Sequence, residues 1–104
     1  MTAHELVDEL ARQVMGWRPL PDRFLRRDRS WLPRWRFDPM ARAGDALVLL
    51  EHARPETYTL SQQNGKFTAH VCISGKAGAA EGESKPRAIT LAVARALGLD
   101  TEGA

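Results

Sequence analysis

Thr57-Tyr58-Thr59-Leu60-Ser61-Gln62-Gln63-Asn64-Gly65-Lys66-Phe67-Thr68-Ala69-His70-Val71-Cys72-Ile73-Ser74 decides the fold, because it reads as a β-hairpin whose register is already set. The turn is Asn64-Gly65, a dipeptide that tolerates positive φ at both central positions of a type I′ turn, the connection whose twist suits two right-twisted strands. With those two residues as the loop, Gln63 pairs with Lys66, Gln62 with Phe67, Leu60 with Ala69 and Tyr58 with Val71. Apolar residues then meet apolar partners, Gln62 excepted. Alternation puts Tyr58, Leu60, Phe67, Ala69, Val71 and Ile73 on one face, and Thr57, Thr59, Ser61, Thr68, His70, Cys72 and Ser74 on the other. A two-stranded hairpin is marginal alone in water, so helices from elsewhere in the chain must cover the apolar face.

The 104 residues suffice for one domain with a single modest core. That domain is expected over residues 1–99, with residues 100–104 as a flexible tail. Cys72 is the only cysteine, which excludes an intrachain disulfide and a multi-cysteine zinc site and suits a reducing compartment. No apolar run is long enough to span a bilayer, and the N-terminus lacks the basic-then-apolar pattern of a secretion signal. The expected location is therefore the cytoplasm, with no membrane partner. A net charge of +2 is too small to imply a polyanion partner by itself, but the charge is unevenly placed.

Toward the N-terminus, Thr2-Ala3-His4-Glu5 fits a capping box, in which hydroxyl and carboxylate each satisfy a free backbone N–H at a helix start. Leu6, Val7, Leu10, Ala11 and Val14 follow at helical spacing, and Asp8 and Arg12 are placed for an i,i+4 pair. Gly16 suits the left-handed residue that ends a helix, with Trp17 folding back on the last turn. Arg18 to Phe37 has no helical period and reads as a long loop, with Phe24-Leu25 and Trp31-Leu32 as two short strand pieces around Arg27-Asp28-Arg29. Asp38 and Pro39 are favoured as N-cap and first residue of a second helix. That helix carries a stripe of Met40, Ala43, Leu47 and Leu50, widened by Ala46, Leu49 and Ala53, and stops before Pro55. Gly44 in its middle marks a close approach of another element.

Beyond the hairpin, Gly75 to Glu83 is small and glycine-rich, without a clear strand pattern, and is open to being a third, irregular strand. Ser84 then caps a last helix, opened by Lys85-Pro86 and closed by Gly98, that is apolar nearly all round. Only Arg87, Thr90 and Arg95 interrupt it, so it is expected to be the most buried helix and to lie across the hairpin's apolar face. The expected fold is α+β. A small antiparallel sheet built on the 57–63/66–74 hairpin packs with three helices in the order α-loop-α-β-β-α.

Val14-Met15-Gly16-Trp17, Leu32-Pro33-Arg34-Trp35-Arg36-Phe37-Asp38 followed by Ala41, and Ala88 through Gly98 together resemble the phage ABA sandwich domain family, small proteins of phage and prophage genomes. Arg36 departs from the small hydroxyl residue of that pattern. The resemblance implies a fold and a phage origin, hence the cytoplasm of a bacterial host, and brings no catalytic residues with it. A second, partial likeness covers the later half: a helix, strands, then Gly82-Glu83-Ser84-Lys85 opening an alanine-rich helix is similar to the C-terminal part of double-stranded RNA-binding domains. Pro86 replaces the second lysine of that motif, Glu81 and Glu83 bring negative charge to the phosphate contact, and no third strand is evident.

The residues best suited to recognition are Arg23, Arg26, Arg27, Arg29, Arg34 and Arg36 with Trp31 and Trp35, preceded by Arg18 and opposed only by Asp22 and Asp28. Guanidinium groups pair with phosphates and indoles stack on bases, so the mixture suits a nucleic-acid strand or an acidic protein face. The plain alternative is that the tryptophans pack the loop onto the helices while the arginines are solvated. His4, His52 and His70 lie on separate elements with no metal-ligand spacing. His70 and Cys72 share a strand face, an arrangement too common to specify a cysteine–histidine catalytic pair. Gly75 to Gly82 lacks the Gly-Lys-Ser/Thr ending of a phosphate loop. The sequence thus points to a phage-type accessory or interaction protein that is not an enzyme and has no cofactor or metal. The sequence names no partner: a phage or host protein and a nucleic acid are both open, and the alternatives are a nucleic-acid-binding module using loop 18–37 and a small structural or oligomerising protein.

Overall fold

The computed structural model describes residues 1–104. Helix α1 spans Ala3–Leu10 and runs on through a wider π turn at Ala11–Met15. Strands β1 (Arg18–Pro19), β2 (Arg23–Leu25) and β3 (Trp31–Pro33) follow, then a 3-10 turn at Arg34–Arg36 and α2 (Ala43–His52). The chain ends with β4 (Thr57–Gln63), β5 (Lys66–Ile73), β6 (Lys76–Gly82) and α3 (Lys85–Ala96). The strands form two antiparallel sheets, β1-β2-β3 and β4-β5-β6.

The hairpin forms in the register read from its turn. Asn64 and Gly65 have φ of 53° and 75°, and Gln63↔Lys66, Gln62↔Phe67, Leu60↔Ala69 and Tyr58↔Val71 are all opposite each other. Ser74 belongs to the next turn rather than to the strand: Ser74 and Gly75 have φ of 51° and 77°, a second two-residue connection of the same kind. It launches β6, a fully paired strand with Val71↔Gly78 and Ala69↔Ala80. The glycine-rich link is therefore a regular third strand. Its small residues hid the alternation, because on the buried face they are Gly78 and Ala80.

That smallness is what α3 requires. A Cβ at Gly78 would overlap the Ala92 carbonyl oxygen and the Ala96 amide nitrogen, so helix and strand backbones are in direct apposition there. Ser84 caps α3 by accepting from the Arg87 N–H, and nine of the helix's twelve residues are buried. The helix lies on β5 and β6 with α2 against it, as its nearly unbroken apolar surface requires. At β4 it reaches only the crevice that Ile89 borders with Tyr58 and Leu60, and Tyr58, assigned to the apolar face, is 56% exposed. Thr90 is buried, and its hydroxyl donates to the Pro39 carbonyl at 2.6 Å.

Helix α2 begins at Ala43, later than the Asp38-Pro39 signal places it. Those residues open a separate turn, with the Ala41 and Arg42 N–H groups donating to the Asp38 carbonyl. Gly44 consequently lies in the first turn of α2 and faces open space, so it marks no close approach. The buried stripe of α2 is Ala46, Leu49 and Leu50, while Leu47 is exposed.

At the other end, the Thr2–Glu5 capping box forms, and the Thr2 backbone and hydroxyl bonds hold the Glu5 carboxyl below its ordinary range. Gly16 ends the π turn with φ 71°. Trp17 packs on Phe24 and Phe37, with ring centroids 5.8 and 5.1 Å away. The expected Asp8–Arg12 pair is absent, since Asp8 bonds Arg34 and Arg12 bonds Glu9. Residues after Leu99 turn back on the domain: the Met1 ammonium donates to the Glu102 carbonyl, and Arg87 to that of Ala104.

Gly78→Ala is expected to lower unfolding free energy by about 1–3 kcal/mol, since neither backbone has room to yield. Gly82→Ala, where a Cβ meets nothing, should stay within about 0.5 kcal/mol of the native chain in the same urea titration.

Candidate recognition surface

The segment from Arg18 to Phe37 is a small sheet rather than a loop, and strand alternation sorts its residues into two sets. Pairing Pro19↔Phe24↔Leu32 forms the inward row, with Phe24 fully buried. Pairing Arg18↔Leu25↔Trp31 and Arg23↔Pro33 forms the outward rows. Two of the arginine and tryptophan candidates therefore share one solvent face, Arg23 and Trp31, and Arg18 joins them. Trp31 is 49% exposed and the Arg23 guanidinium lies 4.9 Å from its ring centroid. Arg23 also donates to Asp22 at 3.0 and 2.8 Å, and this pairing holds the Asp22 carboxyl below its ordinary range.

Arg34 has a different task. It donates to the carbonyls of Leu20 and Pro21 at 3.0 and 3.1 Å, pairs with Asp8, and covers Phe24 at 4.8 Å from the ring centroid. Both charged side chains are largely shielded from solvent. Arg34 thus ties the small sheet to α1 and is not free for a ligand. Its neighbours on the 3-10 turn point outward: Trp35 is 66% exposed, with the Arg36 guanidinium 5.3 Å from its ring. Trp31 and Trp35 keep about half or more of their surface in solvent, with Trp35 bordering α1 at Ala3, His4 and Val7. Trp17, Phe24 and Phe37 form the aromatic cluster beneath the segment.

Arg26, Arg27 and Arg29 occupy the turn between β2 and β3. The Arg26 Nε donates to the Ser30 hydroxyl at 2.8 Å, and Ser30 in turn donates to Asp28 from its N–H and its hydroxyl. Those bonds, the hydroxyl first, hold the Asp28 carboxyl below its ordinary range. Arg27 lies flat over Gly16, where a Cβ would strike its guanidinium. Arg29 takes a left-handed φ of 68° and is exposed. Arg26 and Arg27 line one wall of a groove of about 700 Å³ between the ends of α1 and α2, opposite Glu51, His52 and Arg54. Arg54 has a left-handed φ of 52° just past α2, and none of Arg26, Arg27 and Arg54 forms an ion pair. Sequence spacing gave no reason to place Arg54 in one groove with residues 27 and 28 positions earlier, although an arginine between a helix end and Pro55 was visible as a C-terminal cation.

The third strand whose lack set the later half apart from double-stranded RNA-binding domains is present, so α2-β4-β5-β6-α3 follows that element order. The charges at the start of α3 are unchanged. Arg87 is bonded to the Ala104 carbonyl, and Glu81 lies 3.7 Å from Lys66. His70 and Cys72 share the outer face of β5, and no group of three or more His, Cys, Asp and Glu side chains converges to hold a metal ion. No helix is long and apolar enough to cross a membrane.

No family model matches the chain, and no curated protein matches it. Among solved structures, the fold is similar to that of a phage protein from Bacillus cereus ATCC 14579, with a TM-score of 0.74 over 98% of this chain and 93% of that one. The two are 15% identical in sequence, so the likeness is one of fold.

Arg34→Lys should lose about 1–3 kcal/mol of stability in denaturant unfolding, because an ammonium cannot span Asp8, two carbonyls and a ring face together. Arg18→Lys should change it by less than about 0.5 kcal/mol. The lowered Asp28 pKa means that its contribution to the turn is present above the unfolded value and lost as pH falls through the folded one. A carboxyl-detected NMR titration of Ser30→Ala should find Asp28 shifted back up toward its ordinary range.

Proposed function

We propose that this chain is a phage-type interaction protein of the bacterial cytoplasm, without catalytic activity, that binds its partner through the outward face of β1-β2-β3 and the 3-10 turn that follows it. One observation carries the reading: Trp31 and Trp35 are 49% and 66% exposed while each lies beneath an arginine. Tryptophan and arginine are the residues that supply most of the energy of interfaces, and leaving two indoles in water is unfavourable unless a partner covers them. The packing role that would otherwise account for them is filled by Trp17. The phage assignment draws support from the shared fold with the Bacillus cereus phage protein and from the resemblance to the phage ABA sandwich domain family.

A single-stranded nucleic acid is the second reading, favoured by the Arg23–Trp31 pair, which sets a cation beside a stacking surface. The test is affinity capture from lysogenic or infected cells with the native chain and with Trp31→Ala/Trp35→Ala. A partner retained by the native chain and lost by the variant supports the surface, and equal capture by both refutes it. Anisotropy with a single-stranded oligonucleotide separates the readings. Binding that weakens steeply as salt rises identifies nucleic acid, whereas no binding at low salt leaves a protein partner.

A further inference from the structure

We propose that two copies of this chain join through β4, edge to edge and antiparallel, as a closed two-fold dimer whose six strands form one continuous sheet. The hydrogen-bond phase of the hairpin shows which groups are free. A two-residue turn makes Gln63 and Lys66 a mutually bonded pair, so Ser61 and Thr59 also bond into β5, and the N–H and C=O groups of Tyr58, Leu60 and Gln62 point out of the sheet edge. Native edges are commonly guarded by charges, prolines or bulges. Between Thr57 and Gln63 there is no charged residue, no proline and no break in the register. The apolar side of this strand is also open. Tyr58 is exposed, Leu60 is half-buried, and both border a small apolar crevice with exposed Leu47.

The opposite edge of the same sheet decides that the occupant is a second β4. By the same alternation the Ala79 carbonyl points outward from β6, and there Arg95 donates to it from Nη1 at 2.7 Å. Thr101 holds that guanidinium in place by accepting from Nε at 3.0 Å. Lys76 and Glu81 put charges at the two ends of β6. Head-to-tail pairing of β4 on β6, which would grow a filament, is obstructed, and β4 on β4 closes at two. Antiparallel pairing centred on Leu60 sets Leu60 opposite the partner's Leu60, Tyr58 opposite the partner's Gln62, and Thr59 opposite the partner's Ser61. Every pair is uncharged, and the strand is complementary to itself.

Sedimentation across a concentration series tests this. The native chain should move from one to two chain masses as concentration rises. Thr59→Lys/Ser61→Lys, both on the exposed outer face, places like charges opposite each other twice and should give one chain mass throughout with an unchanged circular dichroism spectrum. Thr59→Glu/Ser61→Lys places opposite charges across the same pairs and should restore the dimer. Gln62→Pro removes an outward N–H without touching the β5 ladder and should also dissociate it. A native chain at one mass at every concentration, assemblies larger than two, a persistent dimer in the doubly lysine-substituted chain, or failure of the opposite-charge variant to restore it would overturn the proposal.

Discussion

The larger sheet and the helices on it are arranged around the apposition of α3 and β6, where Gly78 lets a helix backbone rest on a strand backbone. A helix can come this near a sheet only if both surfaces are built of small groups, and here Gly78 and Ala80 meet a helix that carries Ala88, Ala92 and Ala96 among its buried residues. The close approach seats α3 on β5 and β6 and leaves β4 at its margin. It also fixes the far side of the helix. Thr90, on a helix otherwise covered by apolar side chains, satisfies its hydroxyl on the Pro39 carbonyl and so anchors the turn that leads into α2.

The β1-β2-β3 sheet is secured by a different means. It is too short to hold itself together by its ladder, with strands of two or three residues, and relies on side chains that reach across it. Trp17, Phe24 and Phe37 form an edge-packed aromatic cluster beneath it, and Arg34 closes the cluster by covering Phe24 while pairing with Asp8 of α1. One arginine of the segment is thereby built into the architecture. Those that remain on the outside, with Trp31 and Trp35, owe their exposure to the inner face being full.

Much of this was legible from local chemistry. Asn64-Gly65 set the hairpin register, Thr2–Glu5 and Ser84 marked two helix starts, and Gly16 marked an end, because in each case the backbone requirement is met by residues within a few positions of one another. The short strands around Arg27-Asp28-Arg29 were also readable, though their joining with Arg18-Pro19 into a sheet was not. Strand β6 escaped notice because its core face is glycine and alanine, which carry little hydrophobic contrast, although Ser74-Gly75 announced its turn. The start of α2 was misplaced because Asp38-Pro39 is an equally good opening for an isolated turn, which here is held by bonds from Thr90 to the Pro39 carbonyl and from the Asp38 N–H to Asp45. Among the candidate contacts, the sequence identified the residue types and could not sort them by face.

By itself, then, the sequence determined much of the local conformation: the Asn64-Gly65 turn, the starts of the first and last helices, the alternation of the hairpin strands, and that the last helix must be largely buried. Tertiary structure decided which arginine is a strut and which are free, which tryptophan is packed and which two meet solvent, and which sheet edge is closed by Arg95 and which stays open. The division has a simple physical basis. Turn, cap and alternation energies act between near neighbours in the chain, whereas exposure and ion pairing depend on groups such as Asp8 and Arg34, or Arg27 and Arg54, that only folding brings together.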